Sequence, residues 1–176
     1  MTKVAIITGA PNDYSRLNGI VDYVIQLLEK ERISYEIIKV HELPAEDLIQ
    51  AKFDSEVIKN TNEKVANAKG ILVFTPVYKA AYSGVLKTYL DLLPQKGLEN
   101  KIILPLVIGG SFGHLLAIEY ALNPVLSALG ATHIINGVYT IDNDVERLVD
   151  NQFALKEEVQ QRIKKSVDGL IKVLAD

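Results

Sequence analysis

Residues 8–18, TGAPNDYSRLN, gather the groups that a phosphate needs. Gly9 permits close backbone approach, and Thr8, Asn12, Ser15 and Asn18 offer hydrogen-bonding side chains. Arg16 adds a fixed positive charge, and a helix opening at Leu17 would turn its free N–H groups and positive dipole end to the same spot. The same residues also make an ordinary capped turn with a solvent-facing arginine. Asp13 is awkward beside a phosphate and is expected to point outward. A second stretch, TPVYKAAYSG at residues 75–84, follows the apolar run Ile71 to Phe74 and is unlike the short polar connection expected there. Pro76 stiffens the exit, the backbone of Val77, Tyr78 and Lys79 can line a planar heterocycle, and Tyr78 and Tyr82 add aromatic surface. The third, GGSFGH at residues 109–114, carries Gly109, Gly110, Ser111 and Gly113; it permits either close approach to the edge of a flat polar ring or a loose turn.

Elements that would position these loops alternate along the chain. Short β-branched runs occupy 3–8, 35–40, 70–75, 101–108 and 133–138, and the first, third and fourth are almost unbroken in apolarity, as strands buried on both faces are. Between them lie helical stretches. Leu17, Ile20, Val21, Val24, Ile25, Leu27 and Leu28 mark one face of a helix capped by Ser15. A second helix starts at Asp54 or Ser55 and runs to about Lys69, with Val57, Ile58, Val65 and Ala66 inward. Residues 84–92, 112–129 and 154–174 give three more. Segments 41–53 and 139–153 read as irregular surface excursions. This alternation implies an α/β, flavodoxin-like three-layer fold: a five-stranded parallel sheet in the order 2-1-3-4-5 with helices on both faces, in a single domain spanning 1–176.

In such a sheet a ligand sits beyond the carboxyl ends of the strands where the order reverses, which brings the three loops around one crevice. A phosphate site at one end and an apolar, glycine-flanked slot at the other describe flavin mononucleotide (FMN) better than any other common cofactor. No G-K-[ST] follows the first loop and no G-x-G-x-x-G is present, so nucleoside-triphosphate and dinucleotide turns are excluded; Glu42 is a ribose ligand or, more simply, a surface carboxylate. Composition narrows the rest. A net charge of −3 with no basic run argues against nucleic acid, and the absence of cysteine removes disulfides, thiolate metal sites and cysteine nucleophiles. His41 and His133 read as incidental, His114 opens a helix beside the slot, and three scattered histidines make no metal site. The opening MTKVAIITGA is too short for a signal or a membrane span, so a cytoplasmic protein is expected.

Residues 75–129, with T-P-V-Y-K-A-A-Y-S-G followed by L-K-x-x-L-D, resemble the NAD(P)H-dependent FMN reductases, within them the reductase partner of alkanesulfonate monooxygenase systems. The resemblance implies FMN and NADPH or NADH as cofactors. It places the FMN phosphate around Ser15 and Arg16 and the isoalloxazine against Pro76 to Lys79 and Gly109 to Ser111. It also implies transfer of reduced FMN to a partner monooxygenase, and a homodimer or homotetramer with the flavin near the interface. Ala10 and Asn12 stand where the family usually has a serine and a basic residue, so two phosphate donors are missing. Tyr120 is singled out twice. Pro124, four residues later, has no N–H for the Tyr120 carbonyl, so the helix should widen or kink; the family resembled has a tyrosine at a π-bulge there. With Tyr120, Lys79 is the candidate catalytic residue, stabilising negative charge on reduced FMN or meeting a nucleotide phosphate, or else simply solvated. Lys87 and Asp91 form an i, i+4 pair. Two other activities compete: a flavin-bound quinone or azo-compound reductase, and a non-enzymatic flavodoxin-like electron carrier.

Overall fold

The computed structural model describes residues 3–175. In chain order the elements are β1 (Val4–Thr8), α1 (Leu17–Lys30), β2 (Tyr35–Lys39), α2 (Ala45–Ile49), α3 (Glu56–Asn67), β3 (Gly70–Tyr78), β4 (Ala81–Tyr82), α4 (Gly84–Leu90) and β5 (Ile102–Gly109). After a π-helical turn (Ile118–Leu122) come α5 (Asn123–Ala128), β6 (His133–Ile134), β7 (Val138–Ile141), β8 (Val145–Arg147), β9 (Phe153–Leu155) and α6 (Glu157–Ala175). The main path of the sheet is β2-β1-β3-β5-β6, all parallel, which is the flavodoxin-like order.

Period-2 alternation in the central strands feeds two cores. Ala5, Ile7, Ile71, Val73, Ile103 and Val107 face α3, α4 and the π turn. Val4, Ile6, Leu72, Phe74, Leu104 and Leu106 face α1 and α6. β1, β3 and β5 are buried on both sides, which is why their sequences carry almost no polar residue.

Several expected boundaries move for identifiable reasons. The sheet holds seven strands rather than five. The expected fifth strand is broken at Ile135–Gly137 into β6 and β7, both paired to β5. Asn136 and Gly137 are poor strand formers, and a Cβ at Gly137 would meet Ile118 and the Pro105 carbonyl at 3.1 Å. The other added strand, β4, turns back on β3. Within α3, Ile58 and Val65 are buried as expected, but Val57 and Ala66 are exposed and Thr61 takes the inward place. The stretch 41–53 contains α2, and 139–153 is β7 followed by an antiparallel β8–β9 hairpin. That hairpin seats Phe153 on α1 at Gly19, where a Cβ would lie 2.5 Å from the Phe153 Cβ. The expected helix 112–129 is instead a 3₁₀ turn, the π turn and α5. No helix among the described residues is long and apolar enough to cross a membrane.

Candidate active site

TPVYKAAYSG is a hairpin. β3 continues through Pro76 to Tyr78, and β4 returns with Val77 opposite Tyr82 and Tyr78 opposite Ala81. Lys79 and Ala80 form the two-residue turn with φ of +50° and +65°. Two successive left-handed residues are the mark of a type I′ turn, normally made with Asn and Gly, and each ordinary side chain there costs about 1 kcal/mol or more. Ser83 fixes the hairpin base. Its N–H donates to Thr75 Oγ1 (2.9 Å), its hydroxyl donates to the Gly9 carbonyl (2.8 Å), and Oγ accepts from the Leu86 N–H (3.1 Å) as the cap of α4. One buried serine thus joins the loop after β1 to the loop after β3.

The glycines serve packing more than ligand approach. A Cβ on Gly9 would lie 2.5 Å from the Leu86 Cβ, so Gly9 lets α4 close on the first loop. On Gly109 it would lie 2.2 Å from the Tyr139 hydroxyl, which donates to the Ser111 carbonyl (2.8 Å) and so ties β7 to the third loop. Gly110 is open, its nearest neighbour being Asp142 Oδ2 at 4.0 Å from the would-be Cβ. None of Gly9, Gly109, Gly110 or Gly113 has positive φ, contrary to the conformational reason expected for the third loop.

In the first loop the Tyr14 N–H donates to Asn12 Oδ1 (3.0 Å), and the Asn18 amide donates to the Asn12 carbonyl (3.2 Å). Ser15 Oγ accepts from the Leu17 N–H at 3.3 Å, although the helix cap is Arg16. The N–H groups of Asn12, Asp13 and Arg16 have no partner among the described residues, and neither does the buried Nε of Arg16. Leu17 is fully buried in the core and can offer only backbone. Asp13 points outward as expected. Its carboxylate accepts from Lys39 Nζ (3.1 Å) and lies 3.5 Å from His41 Nε2. The Lys39 ammonium holds the Asp13 carboxyl below the usual carboxylate range. Asp13, His41 and Glu42 converge closely enough to suggest a cation, but Lys39 donates to both carboxylates and already supplies that charge.

These loops frame two neighbouring clefts at the carboxyl edge of the sheet. Val77, Lys79, Ala80, Gly110, Ser111 and His114 line one of about 550 Å³. Arg16 lines the other, about 460 Å³, against the 143–147 segment and β9. The turn 142–144 separates them, with Asp142 beside Gly110 and Asn143 and Asp144 facing Arg16. Of the expected site residues, Val77, Lys79, Gly110 and Ser111 come together, and Arg16 stands next door. Gly9, Pro76 and Gly109 are buried beneath, Tyr78 is 51% exposed on the hairpin, and Asn18 lines a smaller recess with Thr8 and Lys39. Tyr120 does sit in the π turn, 77% exposed and outside both clefts, while β4 packs on that turn. Lys87 and Asp91 form the expected pair at 2.6 Å. Sequence reasoning missed Ala80, Tyr139, Asp142 and the joining role of Ser83. Only Ser83 left a signal, as Ser-Gly before a helix.

The residues present fit a flavin phosphate: the unpartnered N–H groups and the Arg16 guanidinium at a helix N-terminus would hold the phosphate, and the hairpin and glycine loop would wall a flat ring. The sequence matches the NADPH-dependent FMN reductase family over residues 2–146. It is 44% identical over 143 residues to FMN reductase (NADPH) of Escherichia coli K12, covering 81% of this chain and 75% of that one. It is 40% identical over 173 residues to FMN reductase (NADPH) of Pseudomonas putida, covering 98% and 88%. Among solved structures, the apo form of the NADH:FMN oxidoreductase EMOB superposes with a TM-score of 0.86 at 29% identity, covering 98% of this chain and 90% of that one.

Proposed function

Because the chain belongs to the NADPH-dependent FMN reductase family, an oxidoreductase family using FMN and NADPH or NADH, we propose that it reduces FMN with NAD(P)H in the cytoplasm and releases the product to a partner monooxygenase, as in sulfonate sulfur assimilation. FMN, when bound, supplies the hydride acceptor for the nicotinamide. The chain's own share is to hold two flat rings in register and keep water out. Val77, Lys79, Ala80, Gly110 and Ser111 wall the ring site, with Tyr78 at its rim. Pro76, Gly9 and Gly109 set the wall from beneath. Ser15, Arg16, Asn18 and the N–H groups before Leu17 receive the phosphate. The Lys79 ammonium, exposed at the strained turn, offers positive charge to an anionic ring. Tyr120 stands on the π turn that braces β4, outside both clefts, and so bears on the site through the hairpin.

One observation carries the reading that FMN leaves. Ala10 is fully buried and has no side-chain donor, and Asn12, whose Oδ1 accepts from the Tyr14 N–H, brings a neutral amide where the family usually has a basic residue, so the phosphate cradle is short of a hydroxyl and a charge. A loosely held flavin suits an enzyme whose product is free reduced FMN. Leu116, Tyr120 and Tyr78 are all exposed, and this apolar surface supports a homodimer or homotetramer closing beside the flavin. The test is NADPH oxidation with and without added FMN, together with the absorbance spectrum of the purified protein. Turnover that needs added FMN, from protein carrying little flavin, is expected. FMN-independent turnover by yellow protein would point instead to a bound-flavin quinone or azo-compound reductase, and bound flavin without NADPH oxidation to an electron carrier.

A further inference from the structure

Between Phe112 of the third loop, Tyr139 and α6 lies a second kind of cavity, which shares no lining residue with the two clefts. It holds about 480 Å³ between α6 and the break separating β6 from β7, within the range of small-molecule sites. Its apolar wall includes Leu115, Tyr139 and Phe112, the two rings 6.3 Å apart. Its polar wall carries Arg162 and Lys165, and no carboxylate residue lines it. Neither cation forms an ion pair among the described residues, although elsewhere on the chain lysines commonly meet a carboxylate. Arg162 donates through Nη2 to the Tyr139 carbonyl, which fixes the guanidinium at the cavity wall. A guanidinium held there with no carboxylate to balance it, beside a second unpaired cation, is suited to an anion.

Gly169 is the second, independent sign. It lies in the middle of α6, where glycine is costly, and a Cβ there would meet nothing within 4 Å. Packing therefore does not demand it, unlike Gly9, Gly19 or Gly109. What lies in front of it is this cavity.

We propose that this cavity binds a small amphipathic organic anion, its oxyanion head on Arg162 and Lys165 and its apolar body along Phe112, Leu115 and Tyr139. The site is separate from the flavin clefts. A phosphate monoester and a carboxylate share the chemistry that would be recognised.

The test is calorimetric titration of the purified chain with octanoate and with octyl phosphate, alongside 1-octanol and inorganic phosphate. Saturable binding of at least one amphipathic anion is expected, and which head binds more tightly identifies the natural source. Lys165→Gln should weaken it about fivefold, as loss of one charge-assisted contact does. Gly169→Leu should weaken it about tenfold or more by filling the cavity, while the melting temperature holds or rises because leucine favours helix. The idea fails if neither anion binds, if octanol binds as well as octanoate, if inorganic phosphate binds as well as octyl phosphate, or if Gly169→Leu leaves affinity intact. None of these readouts involves FMN, so the outcome is independent of the flavin reading.

Discussion

Gly109→Ala tests whether the flavin loop is held by the tyrosine beneath it. The added methyl would start 2.2 Å from the Tyr139 hydroxyl, 3.1 Å from its Cζ and 3.2 Å from the Val77 Cβ. Ordinary nonbonded separations are about 3.5–4.0 Å, so the ring must shift by about 1 Å or more. That shift breaks the 2.8 Å hydrogen bond to the Ser111 carbonyl. Tyr139 is only 6% exposed, so its displaced hydroxyl stays out of water. Overpacking of this kind costs about 1–3 kcal/mol, and a buried unsatisfied hydroxyl about 1–3 more. Because the two overlap, a loss of about 2–4 kcal/mol in unfolding free energy is expected. Tyr139→Phe alone should cost only the hydrogen bond, about 0.5–1.5 kcal/mol. The double variant removes the 2.2 Å contact and leaves the 3.1 Å one, so it should be more stable than Gly109→Ala by about 1 kcal/mol or more. Urea unfolding followed by far-ultraviolet circular dichroism measures all three, since the chain has no tryptophan. FMN titration, read by quenching of flavin fluorescence, should weaken about tenfold in the single variant and partly recover in the double. If Gly109→Ala is neutral, or Tyr139→Phe does not relieve it, the loop is not held this way.

Other perturbations separate structure from site. Ser83→Ala removes the α4 cap and the tie to the Gly9 carbonyl, so a loss of about 2–3 kcal/mol in urea unfolding and weaker FMN binding are expected together; intact FMN affinity at reduced stability would show that the two loops do not need the link. Lys79→Asn with Ala80→Gly places the preferred residues in the type I′ turn and should gain up to about 1 kcal/mol after the glycine's unfolded-state entropy is counted, while NADPH oxidation reports whether the Lys79 charge matters. Lys101 donates from a buried position to the Ala66 and Ala68 carbonyls, and burial pushes its pKa down. The unfolded state therefore binds more protons between the lowered value and about 10.4, and wild-type stability relative to Lys101→Met should rise with pH through that window; a falling or flat difference would contradict the burial.

What the sequence disclosed and what it concealed divide along a physical line. β1, β3 and β5 announced themselves because burial on both faces leaves no room for polar residues, and the π turn announced itself because Pro124 removes one N–H that nothing local can replace. Both are local constraints written into residue type. The hairpin after β3 left no such mark. Its turn uses Lys79 and Ala80, whose left-handed backbone is imposed by Thr75, Ser83 and the π turn packed against β4, not by their own preferences. The glycines mislead for the same reason: Gly9 and Gly109 look like places for a ligand, yet each is explained by a neighbour distant in sequence, Leu86 and Tyr139. A glycine in a loop shows that something comes close, without showing what. At these two positions the close object is the protein, which makes the loop walls rigid by packing from behind; at Gly110 only Asp142 comes near, at 4.0 Å, and the glycine borders an open cleft.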